Sequence, residues 1–167
     1  MPLEVGAEMP SLEGATEWLN ATGARAEAEA EGHPTLVHFW SVSCATCREN
    51  LPRVAEWRDR HAGEGLRVIA VHTPSDPADA DAESVRDCVS TCNITEPCAV
   101  DNEHRLRDAF GNEQDSLPAY YLFDAEGKLR SYAAGEGGLD TVGPALERVL
   151  SAFAQSGEGQ GQANSGG

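Results

Sequence analysis

"TLVHFWSVSCATCRENLP", residues 35–52, decides how the rest of the chain is read. It opens on a nearly continuous apolar run, Thr35 to Trp40, with the length and composition of a buried strand. A short polar stretch then leads to Cys44 and Cys47, and from there Cys47, Leu51, Val54 and Ala55 fall on one face of a helix. His61 and Gly63 mark the end of that helix. Pro52 lies inside it and is expected to bend it. A strand feeding a loop and then a helix puts Cys44 at the helix N-terminus, where backbone amides are unpaired and the dipole is positive. Both favour the thiolate, the attacking species in disulfide exchange. Cys47, one turn further in on the apolar face, is expected to be less exposed. Cys44 therefore fits a nucleophile and Cys47 a resolving thiol. Alone, a CxxC also allows half a metal site or core filling.

Outward from this stretch the pattern alternates. Upstream, residues 15–23 are expected to form a short helix anchored by Trp18 and Leu19. Residues 24–34 read as a polar, Glu-alternating connector stopped by Gly32 and Pro34. Downstream, "LRVIAVH" (66–72) is a second buried strand, followed by an acidic, Pro-containing loop. "SVRDCVSTC" (84–92) is helical, "PCAV" (97–100) a short strand and "NEHRLRDAFG" (102–111) a short helix closed by Gly111. "AYYLFDAEGKLRSYAAG" (119–135) reads as a hairpin turning at Ala125–Gly127. Leu139, Val142, Leu146, Val149, Leu150 and Phe153 form the apolar stripe of a closing helix. Strands joined by helices and ending in an antiparallel hairpin define an α/β fold, a mixed sheet with helices on both faces.

Composition narrows the function. The chain has 167 residues and a formal net charge of −16, which argues against nucleic acid or anionic membrane as partners of a basic surface. No apolar run approaches the roughly 18 residues that suggest a membrane-spanning helix, and the first residues lack the pattern of a secretory signal. The expected location is cytoplasmic. There thiols are kept reduced, and a CxxC points to catalysis or metal binding rather than a structural staple. The cysteine count is five, so complete internal pairing is impossible.

The stretch 35–52 resembles the thioredoxin superfamily, especially its TlpA/ResA-type and DipZ-type thioredoxin-like domains. These show an apolar strand, Phe-Trp, a few residues, CxxC and a Pro in the following helix. The resemblance continues through "LRVIAVHTP", "NITEPCAVDNEHRLRDAFG" and "SLPAYYLFDAEGKLR", about residues 35 to 133. It implies a thioredoxin fold and a thiol-disulfide oxidoreductase. Such an enzyme reduces disulfides in a client protein, draws electrons from a partner reductase and needs no bound cofactor or metal. It also implies that Leu117-Pro118 forms the cis-proline loop against the CxxC, where its backbone pairs with the incoming client and discourages metal capture. Trp40 joins them as a candidate for substrate binding, with core or near-site packing as its alternative.

The implied organisation is an N-terminal extension (1–33), a thioredoxin-like domain (34–153) and a disordered Gly/Ser/Gln-rich tail (154–167). Three departures stand out. The spacer is Ala45-Thr46 rather than Gly-Pro or Pro-Pro, Ser43 replaces a frequent Trp, and His38 occupies the place of a buried acid. His38 is a candidate general base for Cys47, or else a core histidine. His72, in a His-Thr-Pro that DipZ-type domains share, is a candidate for substrate contact or loop capping.

The remaining thiols read as core. Val85, Cys88, Val89 and Cys92 form one helical stripe. An ideal i,i+4 pair holds its Cβ atoms roughly 5–6 Å apart, too far for an undistorted disulfide. A second redox pair and a zinc site of Cys88, Cys92, Cys98 and His104 are the alternatives. Two rival functions are kept. A thiol peroxidase would use Ser41 three residues before Cys44, although Val37 stands where such enzymes carry Pro. A thioredoxin-like interaction or chaperone module would use the CxxC only incidentally.

Overall fold

The computed structural model describes residues 3–112 and 116–156. Its sheet has six strands in the order β1 (Glu17–Leu19), β4 (Cys98–Val100), β3 (Arg67–His72), β2 (Thr35–Trp40), β5 (Ala119–Phe123) and β6 (Leu129–Ala134). β2, β3 and β4 are mutually parallel, and the other three strands are each antiparallel to their neighbours. This is a mixed thioredoxin-type sheet. β2 and β3 are buried almost throughout, because both of their faces are covered.

The alternation of side chains along β2 and β3 sorts the core into two layers. Val37, Phe39, Ile69 and Val71 face α1 (Gly23–Ala30), α4 (Arg105–Ala109) and the N-terminal Leu12. On the opposite face, Leu36 and Val68 pack against α2 (Ala45–His61) and α5 (Gly138–Gln155). Trp40 and Ala70 pack there against α2 and α3 (Ala82–Thr91). The stripe expected on the closing helix is buried along its length. Each such Leu or Val contributes about 1.5–3 kcal/mol when fully removed from water.

Two N-terminal expectations are corrected. Residues 17–19 form an edge strand, not a helix. Trp18 sits opposite Ala99, and both Thr16 N–H and Thr16 Oγ1 donate to the Val100 carbonyl. Pairing with a distant strand decides this segment. The expected connector contains α1, which starts where Thr22 Oγ1 accepts the Arg25 N–H at 3.1 Å. Its alternate residues are Ala24, Ala26, Ala28 and Ala30, and alanine is the strongest helix former. Ala26 is buried, and Glu27 accepts the Leu12 N–H at 2.6 Å. At the other end α5 extends through Gln155, so the first residues assigned to the tail are helical. Residues 157–167 of that tail lie outside the described residues.

Gly65 ends the turn after α2 at φ +103°, where an added Cβ would overlap the Phe153 ring. Gly65→Ala is therefore expected to destabilise the chain by roughly 1–3 kcal/mol. Urea unfolding midpoints measure this, and an unchanged midpoint would show that turn and ring move aside freely.

Candidate active site

β2 is a central strand, and the chain leaves its end directly into the CxxC loop. Cys44 is the N-cap of α2, and its sulfur accepts the Cys47 N–H at 3.1 Å. A helix-terminal amide thus points at the Cys44 sulfur, where it favours negative charge. Cys44 is half-buried and Cys47 is 1% exposed. The two are joined in a disulfide with Cα atoms 5.2 Å apart, the oxidised state of the pair.

The loop before Cys44 is held on every side. Val42 N–H donates to His72 Nε2 at 3.2 Å, and the Val42 carbonyl accepts Arg48 Nη1 at 3.3 Å. Ser43 Oγ donates to Asp79 Oδ2 at 2.7 Å, and the same oxygen accepts the backbone N–H groups of Ser75 and Asp76. Ser41 Oγ pairs with Ser75 Oγ at 3.2 Å. Such anchoring fixes the approach to the reactive sulfur before a client arrives. Ser41, the residue a peroxidase would need, is wholly buried and committed to this loop.

Strand register brings the proline to the cysteines. Phe39 of β2 lies opposite Ala119 of β5, so the preceding Leu117-Pro118, a cis peptide, falls beside the end of β2 and the start of the CxxC loop. Leu117 is half-buried and packs on the cluster that contains Cys44, Cys47 and Trp40. Asn112 pins the approach, its side chain bonding both the carbonyl and the N–H of Ser116. Trp40 is corrected here. It is wholly buried, edge-on to His72 with ring centroids 4.8 Å apart, and presents no surface to a client.

His38 lies on the sheet face covered by α2, between Leu36 and Trp40, and is 1% exposed. Its Nε2 is 2.7 Å from Glu96 Oε2, and Glu96 Oε1 accepts Arg58 Nη1 at 2.6 Å. Burial pushes the Glu96 carboxyl up, but the bond and charge interaction with His38 and the bond from Arg58 outweigh it and hold the group below its usual range. The ionised carboxylate only accepts hydrogen bonds, so His38 Nε2 carries a proton and donates it to Glu96 Oε2.

His72 is wholly buried, and burial pushes its ring down to about 4, against an opposing pull from Asp79. The neutral ring caps the loop through Nε2, while Nδ1 has no partner. The zinc alternative does not assemble. His104 Nε2 bonds the Pro74 carbonyl at 3.0 Å, and among the described residues no three His, Cys, Asp or Glu side chains are placed to hold one metal ion.

Sequence reading missed Glu96, Arg58 and Asp79. Asp79 had a usable signal, since Asp76-Pro77-Ala78-Asp79 is a capping box around a short helical turn. Glu96 and Arg58 had none, because they lie 38 residues apart and nothing in the local sequence of either marks the other as its partner.

A Cys44–Cys47 pair at a helix start on a mixed sheet, with Leu117-Pro118 beside the end of β2, is the arrangement of a thioredoxin-like thiol-disulfide oxidoreductase. The chain belongs to the AhpC/TSA family, whose sequence profile matches residues 5–132. It is 42% identical over 142 residues to the thiol-disulfide oxidoreductase YkuV of Bacillus subtilis, covering 85% of this chain and 93% of that protein. It is 31% identical over 150 residues to the protein DipZ of Mycobacterium bovis, covering 89% of this chain and 21% of that protein. The solution structure of a thioredoxin-like protein in the oxidised form superimposes with a TM-score of 0.78 at 39% identity, covering 90% of this chain and 99% of that one.

Proposed function

We propose that this oxidoreductase reduces disulfides in client proteins, with Cys44 as the attacking sulfur and Cys47 as the resolving one. The observation that carries the reading is the asymmetry of the pair: Cys44 is accessible and accepts a helix-terminal N–H, whereas Cys47 is buried. In the reduced enzyme the Cys44 thiolate attacks one client sulfur, and the other client sulfur leaves as a thiolate. Cys47 then gives up its proton and attacks Cys44 Sγ. The first client sulfur leaves, and the Cys44–Cys47 disulfide remains. A partner reductase returns two electrons. Leu117 and Pro118 line the client side of the pair, and His38, with its tautomer set by Glu96, receives the Cys47 proton. Three unpaired cysteines outside the CxxC suit a reducing, cytoplasmic setting.

Cys47→Ser is the direct test. Incubated with a disulfide-bonded client such as insulin, it should stall as a mixed disulfide through Cys44, visible by mass and released by dithiothreitol. Absence of an adduct, or an adduct on another cysteine, would remove the assignment. For His38, replacement by Ala should slow resolution of the mixed disulfide by on the order of 10²-fold, the lower end for a positioned general base. It should also alter the pH dependence of that step in rapid-quench measurements. An unchanged pH profile would take His38 out of the mechanism.

A further inference from the structure

All five cysteines of the chain meet in one apolar cluster. Cys47, Cys88 and Cys98 lie within it, and Cys44 and Cys92 pack against it. The CxxC chemistry uses only two of them. We propose that Cys88 and Cys92 form a second redox-active dithiol, which closes to a disulfide on reaction with a low-molecular-weight disulfide such as cystine.

An ideal i,i+4 pair on a helix resists a disulfide, but the chain departs from ideal helix geometry at Cys92. The two sulfurs are already 3.4 Å apart. Cys92 is the C-cap of α3, with φ −96° and ψ 9°, and the chain turns away at once through Asn93 at φ +60°. Bringing the sulfurs to the roughly 2.05 Å of a disulfide therefore deforms a terminal turn rather than a helix interior. Terminal turns fray readily.

The pair also has a division of labour. Cys92 is half-buried and within reach of a small molecule, whereas Cys88 is 8% exposed. The Cys92 thiolate attacks one sulfur of cystine, and one cysteine leaves as its thiolate. Cys88 then loses its proton and attacks Cys92 Sγ, and the second cysteine leaves. The sum is protein dithiol plus cystine giving protein disulfide plus two cysteines, a balanced two-electron exchange. Burial, followed by the interaction with Cys92, pushes the Cys88 thiol up to about 12, against an opposing pull from Arg48. Closure is therefore the slow step and accelerates as the pH rises. Cys98 is wholly buried, with its thiol on the Ala99 carbonyl, and stays reduced.

The test uses the full chain carrying Cys44→Ser and Cys47→Ser, exposed to cystine, alkylated and mapped by peptide mass. Cys88 and Cys92 are expected to lose reactivity together and appear as one crosslinked species, while Cys98 is alkylated in the unfolded digest. Adding Cys88→Ser should leave a single disulfide-linked cysteine stranded on Cys92. Three alkylated thiols, an adduct on Cys92 that never closes, or a crosslink involving Cys98 would each overturn the proposal. The wild-type chain gives the same answer without substitution. Mapping after cystine treatment should find the Cys88–Cys92 bond beside Cys44–Cys47, and finding Cys44–Cys47 alone would overturn it.

Discussion

Acidification from pH 7 to pH 4 is expected to cost the folded chain roughly 3 kcal/mol through His72 alone. The imidazole is wholly buried, and its pKa falls from the ordinary 6.5 to about 4 chiefly by burial. Between those two values the unfolded chain takes up a proton that the folded chain refuses. The contribution is therefore complete above pH 6.5, declines as the pH falls towards 4 and changes no further below it. Protonation of the folded ring would also place a hydrogen on Nε2, which accepts the Val42 N–H, so the CxxC loop loses its anchor only as the pH falls through about 4. Urea unfolding of the oxidised protein at a series of pH values measures the slope. His72→Gln, which does not titrate, should be less stable at pH 7 but show a shallower decline between pH 6.5 and 4. Parallel slopes for the two proteins would remove His72 as the source. Glu96 acts in a lower window. Its carboxyl is held below the usual range, so its contribution is present above about pH 4.5 and is lost as the pH falls through its folded value.

Glu96→Ala should be the most destabilising single replacement near the site, at roughly 3–5 kcal/mol, the usual consequence of removing one partner from a buried charge pair. Single domains are stable by about 5–15 kcal/mol, so the variant approaches the edge of folding. Glu96 is 5% exposed and bonds His38 and Arg58 from separate oxygens. Removing it leaves a buried imidazole N–H without its acceptor and takes one of two carboxylates from Arg58, which keeps Asp59. Glu96→Gln preserves the shape and should fall between wild type and Ala. If Glu96 sets the His38 tautomer, both variants also slow mixed-disulfide resolution as His38→Ala does, measured at a temperature where each remains folded. A stability loss below about 1 kcal/mol for Glu96→Ala would mean that water reaches this network freely.

What could be read from the sequence was whatever has a local period. The apolar run of β2, the face of α2 carrying Cys47 and Leu51, and the stripe of α5 each repeat at their own spacing within a few residues. The depth of His38 was legible because it stands in the apolar run of β2 at the place where the resemblance implies a buried acid. β1 was not, since Glu17–Leu19 is a strand only by virtue of Cys98–Val100 lying beside it. α1 was hidden by its glutamates, which drew attention from the alanines between them. Trp40 shows the limit at the site. Sequence left it between the core and the substrate side of the CxxC, and three-dimensional packing decides for the core.

The β2–β5 pairing bears on how the protein is made. Cys44 emerges from the ribosome long before Pro118, which reaches its place only when Ala119–Phe123 docks along Thr35–Phe39. Contacts that span so much chain form late, and domains assemble as units once their last element is available. A nascent fragment ending before β5 would bear the thiol pair without the Leu117-Pro118 segment beside it. If Pro118 borders the client path as proposed, selectivity among clients arrives with this hairpin, as a property of finished synthesis rather than of the motif itself.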